Sequence, residues 1–343
     1  MKGNFSRSAR GSRAVTSTDR KEPIMISHSL MAGGAAIAFF NIVSPSMADS
    51  TAQGTSFTTD QSYPESITWS ARQGTFMVGS VRHGLVAKVD KAGKYTEFVH
   101  DARLVSTAGL LVDDKRNTLW VTNSDPGVGD RTNAATQGKL AGVATYDATT
   151  GQNRAYYDLG SLSEGTHFAN DIALDADGNA YVTDSFAPIV YRIDTAGKAT
   201  IFAQDPRFKD GDGFNLNGIA WHKDGYLLVG KYNTGVLFRV SIADPGKIER
   251  VKLPEALTGA DGIQLIDDQH LVIVQNLGVD RTVELVSTDG WASATIVRQK
   301  RSIMSMPTAA AILGDDVYVL NSRLDTLFDP AAEKVGDYLL QKF

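Results

Sequence analysis

A six-fold repeat constrains this 343-residue chain more than any other feature. Each copy opens on one residue beside small or polar neighbours and runs through about five apolar, β-favouring residues. It then turns through Asp, Gly or Asn and ends on a second β-run. The copies are "ESITWSARQGTFMVGS" from Glu65, "AGLLVDDKRNTLWVTN" from Ala108, "NDIALDADGNAYVTDS" from Asn170, "NGIAWHKDGYLLVGK" from Asn217, "DGIQLIDDQHLVIVQN" from Asp261 and "TAAAILGDDVYVLNS" from Thr308. Their starts recur at roughly 45 residues, with one longer gap before Asn170, and a period of that length made of short strands belongs to propeller blades. Third and fourth strands are legible in the first copy as "GLVAKVD" and "YTEFVH", and in the third as "IVYRID" and "ATIFAQ". A sandwich would not repeat so regularly. The expectation is an all-β, six-bladed β-propeller with four-stranded blades around a central channel. It forms one domain over residues 49–343, with 49–60 as a polar lead-in. The long gap holds an insertion, Ser124 to Gly142. Loops of that length are commonly functional or disordered, and this one reads either as a lid over the channel or as a solvated, mobile loop.

Ahead of the repeat, residues 1–48 read as a leader. Lys2, Arg7, Arg10, Arg13, Arg20 and Lys21 precede an apolar run from Leu30 to Val43, and "SMA" before Asp49 is a small-x-small cleavage pattern. The apolar run is too short to span a bilayer comfortably. Met25 is an alternative start, one that would lose the basic segment. The mature chain is expected to be periplasmic or secreted, without stable membrane insertion.

Composition removes several function classes. The net charge of -5 lacks the clustered Lys and Arg of a nucleic-acid footprint. Without cysteine there is no thiolate nucleophile, disulfide or zinc-thiolate site. No His pair has H-E-x-x-H spacing, and neither "DADGN" nor "KDGDG" fits an EF-hand loop; both read as hairpin turns. Nothing in the sequence speaks to oligomeric state.

In a propeller the inner strands line the channel, so equivalent positions of the repeat form a ring. That ring reads Glu65, Ala108, Asn170, Asn217, Asp261 and Thr308. An Asn or Asp ahead of a strand is ordinarily a turn or cap residue. Four such oxygen-bearing side chains at one register are a different matter. Two carboxylates and two amides on a common axis suit one divalent cation, calcium first, with zinc or manganese as alternatives. The two carboxylates balance the ion's charge.

At these residues the chain resembles the SMP-30/gluconolactonase/luciferin-regenerating family, and more widely the paraoxonase and phosphotriesterase-like propellers. The resemblance implies that Glu65, Asn170, Asn217 and Asp261 hold the metal. It also implies hydrolysis of a small lactone or ester, with Asp261 both ligand and general base and the metal polarising the carbonyl. Sugar-lactonase members often carry Arg where this chain has Phe168. The substitution points away from polyhydroxylated lactones toward a less polar substrate. Phe168 and His167 are therefore the expected substrate-binding residues, although for His167 a loop His without a role is the more ordinary reading. The aromatic residues usual before the first-blade Glu are missing, with Tyr63 as a partial replacement. A non-enzymatic propeller that binds a ligand or protein around a structural metal is the alternative. A strictosidine-synthase-like condensing enzyme would lack the metal set that the ring retains.

Overall fold

The computed structural model describes residues 53–343; the leader and the alternative start at Met25 lie outside them. Six four-stranded antiparallel sheets follow one another around an axis. Blade 1 holds β2 (Ile67–Ser70), β3 (Thr75–Gly79), β4 (Leu85–Val89) and β5 (Tyr95–His100), and blade 2 holds β6 (Ser106–Asp113), β7 (Thr118–Ser124), β8 (Ala141–Asp147) and β9 (Asn153–Asp158). Blade 3 comprises β10 (Ala169–Leu174), β11 (Ala180–Asp184), β12 (Ile189–Ile193) and β13 (Ala199–Gln204). Blade 4 comprises β14 (Leu216–His222), β15 (Tyr226–Lys231), β16 (Val236–Ser241) and β17 (Ile248–Arg250). Blade 5 is built from β18 (Ala260–Leu265), β19 (His270–Gln275), β20 (Arg281–Val286) and β21 (Thr295–Arg301). Blade 6 takes β22 (Pro307–Leu313), β23 (Asp316–Asn321) and β24 (Asp337–Lys342), and its fourth strand is β1 (Gly54–Thr58) from the other end of the repeat array.

That last pairing corrects the reading of residues 49–60 as a lead-in. Gly54 to Thr58 run antiparallel to Gln341 to Asp337, and buried Phe57 packs its ring 5.5 Å from that of Tyr338. A five-residue strand with one large apolar side chain has no local signature, and its partner lies at the far end of the chain. The pairing closes the circle of blades.

The core is divided among the blade interfaces. Ala173, Tyr181, Val190, Leu216, Ile219, Leu227 and Phe238 form one buried cluster between blades 3 and 4, and comparable clusters fill the other interfaces. The β-runs alternate because each blade faces a neighbour on both sides. "DADGN" is the expected hairpin turn, with Asp175 Oδ1 accepting from the amides of Asp177, Gly178 and Asn179. "KDGDG" is not a hairpin: it lies in the connection from β13 to β14, where Asp210 pairs with the buried Lys231. Among the described residues no helix is long and apolar enough to cross a membrane.

Candidate metal and substrate site

The ring residues sit in β-bulges. In blades 2 to 6 the register of the innermost strand slips between the residue before the ring residue and the second after it: Thr107/Leu110, Ala169/Ile172, Leu216/Ile219, Ala260/Ile263 and Pro307/Ala310. A bulge leaves residues out of the ladder and re-aims their side chains. Ala108, Asn170, Asn217, Asp261 and Thr308 all fall in these slips. Glu65 precedes β2 at the matching place in blade 1.

The second bulge residue is Gly109, Gly218 or Gly262 in blades 2, 4 and 5. The reason is steric. A Cβ on Gly109 would stand 2.3 Å from the Asn170 carbonyl oxygen, one on Gly218 2.4 Å from that of Asp261, and one on Gly262 2.7 Å from that of Thr308. The ring thus closes by backbone contact from blade to blade. Hydroxyls reinforce it: Thr122 Oγ1 donates to the Asn170 carbonyl (2.9 Å), Thr183 Oγ1 to that of Asn217 (2.6 Å), and Thr308 Oγ1 to that of Glu65.

Five of the six ring residues, Glu65, Ala108, Asn170, Asn217 and Asp261, line one cavity of about 50 Å³. Thr308 does not, since its hydroxyl is spent on Glu65. The floor is polar. Asn170 donates its amide NH to Ser185 Oγ at 2.9 Å, leaving its oxygen unengaged. Asp261 accepts at Oδ2 from Asn276, whose amide also reaches the Pro307 carbonyl at 2.9 Å. The walls are apolar: Val81, Pro126, Phe168, Phe214, Met306, Leu324 and Phe328. Phe168, Phe186 and Phe214 form a triangle with centroids 5.2 Å apart on each side.

A second cavity of about 210 Å³ opens further along the inner strands and is lined by Ser66, Thr68, Asp171, Gly262 and Gln264 among others. Asp171, one residue past the ring register, accepts from the amides of Ile172 (2.8 Å) and Ile219 (3.3 Å). It therefore ties blade 3 to blade 4 at the position where blades 2, 4 and 5 carry glycine.

The electrostatics are one-sided. Burial, with the charges of Asp261 and Asp171, pushes the Glu65 carboxyl well above its ordinary value. Burial pushes Asp261 up to about 7, against the lowering effect of hydrogen bonds from Asn276 and Asn217. Asp171 is likewise raised to about 7 by burial. Among the described residues no Lys or Arg lines either cavity. Three carboxylates around one axis without a protein cation leave a charge that a hard divalent ion would balance. The donor set fits such an ion through two carboxylates and two amides. Among the described residues no group of three or more His, Asp or Glu forms a metal cluster by itself.

His167 does not belong to this site. It is buried, with Nδ1 2.8 Å from Asp184 Oδ2 and Nε2 donating to the Ser163 carbonyl at 3.0 Å. The hydrogen bond to Asp184 raises its pKa against the cost of burial. Asp184 Oδ1 in turn accepts from the amides of Phe168, Phe186 and Ala187, each at 2.9 Å. The sequence expectation of a rim His was misplaced because a two-residue offset from a bulge does not translate into a direction. His167 braces the segment that carries Phe168 instead. Tyr63 is also no wall residue: it is fully buried, and its hydroxyl meets Thr326 at 3.0 Å and accepts from the Val335 amide at 2.8 Å.

The insertion after β7 is folded around one carboxylate. Asp125 accepts from the Gly127 amide (2.8 Å) and from the hydroxyls of Thr132 (2.7 Å) and Thr136 (2.6 Å). Pro126, next to it, forms part of the cavity wall.

No family model matches the chain, and no curated protein is significantly similar to it. Solved structures do align over most of its length. The allergen Mala s 1 of Malassezia sympodialis superposes with a TM-score of 0.67 at 17% identity, covering 85% of this chain and 96% of that one. The chain shares their propeller fold. A luciferin-regenerating enzyme aligns with a TM-score of 0.58 at 13% identity (84% and 94% covered). Virginiamycin B lyase from Staphylococcus aureus aligns with 0.54 at 15% identity (84% and 97% covered). The resemblance to the luciferin-regenerating family holds at this coarse level of architecture.

Proposed function

We propose that the chain is an exported, metal-dependent hydrolase that opens a small, apolar lactone or ester at the mouth of its central channel. The observation that carries this reading is the uncompensated Glu65 and Asp261 pair, set with Asn170 and Asn217 beneath an apolar collar. A bound divalent cation, calcium by preference, would supply Lewis acidity to the substrate carbonyl. Glu65 and Asp261 provide the negative charge that holds it, and the two amides add neutral oxygens. Ser185 orients Asn170, and Asn276 orients Asp261. Asp261 takes the proton of the attacking water through the oxygen that Asn276 leaves free. Phe168, Phe214 and Phe328 exclude water from the acyl or alkyl portion, and they offer sugar hydroxyls no partner. The segment around Pro126 closes one side of the mouth and sets substrate choice.

The test combines metal content with turnover. Purified protein is expected to retain about one divalent ion per chain. Chelation is expected to abolish hydrolysis of apolar γ- and δ-lactones and aryl esters, with readdition of calcium restoring it. Metal-free protein whose activity is indifferent to Asp261→Ala would sink the proposal. A retained ion with no turnover across the panel would instead favour a binding propeller with a structural metal.

A further inference from the structure

Tyr232 departs from the repeat in a way that the metal site does not use. In blades 2 to 5 the second strand pairs an apolar residue with the inner strand: Val121 with Leu110, Val182 with Ile172, Val229 with Ile219, Ile273 with Ile263. The third residue beyond that pair is Ser124, Ser185, Tyr232 or Asn276. In three of these blades its side chain crosses to the next blade and binds the carbonyl just before the ring residue. Ser124 Oγ donates to Ala169 O (2.7 Å), Ser185 Oγ to Leu216 O (2.5 Å) and Asn276 Nδ2 to Pro307 O (2.9 Å).

Blade 4 makes its crossing with backbone alone. The Tyr232 carbonyl accepts from the Gly259 amide at 2.7 Å, and the Tyr232 amide donates to the Asn215 carbonyl at 2.7 Å. The phenol is released from the structural task and lies in the cavity wall, its ring 6.2 Å from that of Phe214. The other hydroxyl lining the cavity is committed, Ser106 Oγ to the Val81 carbonyl at 2.6 Å, and the amides each spend one N–H, Asn170 on Ser185 and Asn217 on Asp261. Among the described residues the Tyr232 hydroxyl makes no side-chain hydrogen bond, so it is a hydroxyl that faces the cavity without a partner. A phenol holds its proton at neutral pH, so this hydroxyl is a donor.

The geometry points to Tyr232 as a catalytic residue whose hydroxyl donates a hydrogen bond to the carbonyl oxygen of the ligand. This rests on the hydrolase reading of the site. A neutral donor held by main-chain contacts on both sides is preorganised for an oxygen that gains charge during attack. An ester or lactone has such an oxygen; a hydrocarbon does not.

Tyr232→Phe removes one oxygen and keeps the ring. Calorimetry with calcium alone is expected to give the same affinity for wild type and variant, because Tyr232 is not a ligand. With calcium present, binding of phenylacetate, an apolar carboxylate, should weaken about tenfold in Tyr232→Phe, and kcat/KM for an aryl ester should fall by at least as much. An unchanged unfolding temperature shows that the variant is folded. Tyr232→Ser, which restores the residue type of blades 2 and 3, should lose phenylacetate binding as well. Calcium uptake together with phenylacetate binding and turnover within twofold of wild type in Tyr232→Phe would overturn this assignment alone. No uptake of calcium, zinc or manganese by the wild type would overturn the hydrolase reading and the assignment with it.

Discussion

Asn170 and Asp171 are neighbours with opposite duties. The bulge turns Asn170 toward the upper cavity, where Ser185 fixes its amide, and Asp171 toward the lower one, where it caps two inner strands. Sequence register was enough to pick out Asn170, because three other ring positions, Glu65, Asn217 and Asp261, carry carboxylate or amide side chains. It was silent on Asp171, whose counterparts are glycine in blades 2, 4 and 5. Phe168 was legible as a departure from a motif and does line the cavity, whereas His167, one residue earlier, turns into the blade. Ser185 is the residue the sequence hid, since "TDS" looks like any strand end. Ser185→Ala removes its bonds to Asn170 and to the Leu216 carbonyl. At about 1 kcal/mol for each, the variant should lose about 2 kcal/mol in urea denaturation. Calcium affinity measured by calorimetry should drop several-fold. An unaltered affinity would mean that Asn170 needs no support to present its oxygen.

At the scale of the element, the bulge is the device that makes a ring out of six strands. An unbulged strand would alternate its side chains strictly, and the ring residue would enter the blade interface. The glycine that follows lets the next blade's backbone come within contact. Gly218→Ala puts a Cβ 2.4 Å from the Asp261 carbonyl oxygen and 2.6 Å from the Ile263 amide nitrogen, both backbone atoms that cannot swing away. The variant is expected to lose about 1–3 kcal/mol of stability. Its calcium affinity should fall too, because the atom displaced belongs to a ligand residue. Denaturation and calorimetry on the one variant read the two effects separately. A stability loss with unchanged affinity would show that the bulge and the ligand set are mechanically independent. The "NG" and "DG" pairs were visible in the sequence, but as turn signals. Their role as contact points appears only when the next blade is in place.

For the molecule as a whole, the central question is what balances three carboxylates on one axis. Asp261 and Asp171 lie at about 7 against an ordinary 3.8, and Glu65 is raised as well. Between those values the native chain binds more protons than the unfolded chain. The stability of the cation-free protein should therefore fall as pH rises from about 4 to about 7. A divalent cation would remove that penalty, so the difference in unfolding temperature between calcium-loaded and chelated protein should widen over the same window. A difference that stays constant with pH would argue against a cation at these carboxylates. The blade count, the four-stranded plan and the register of the ring were determined by the sequence itself, because a repeat fixes equivalent positions whatever the packing. Closure by β1, the brace of His167 and Asp184, the fold of the insertion around Asp125 and the freedom of Tyr232 were decided only by tertiary structure. Each depends on which groups meet across a blade boundary, and strand periodicity carries no information about a partner in another blade.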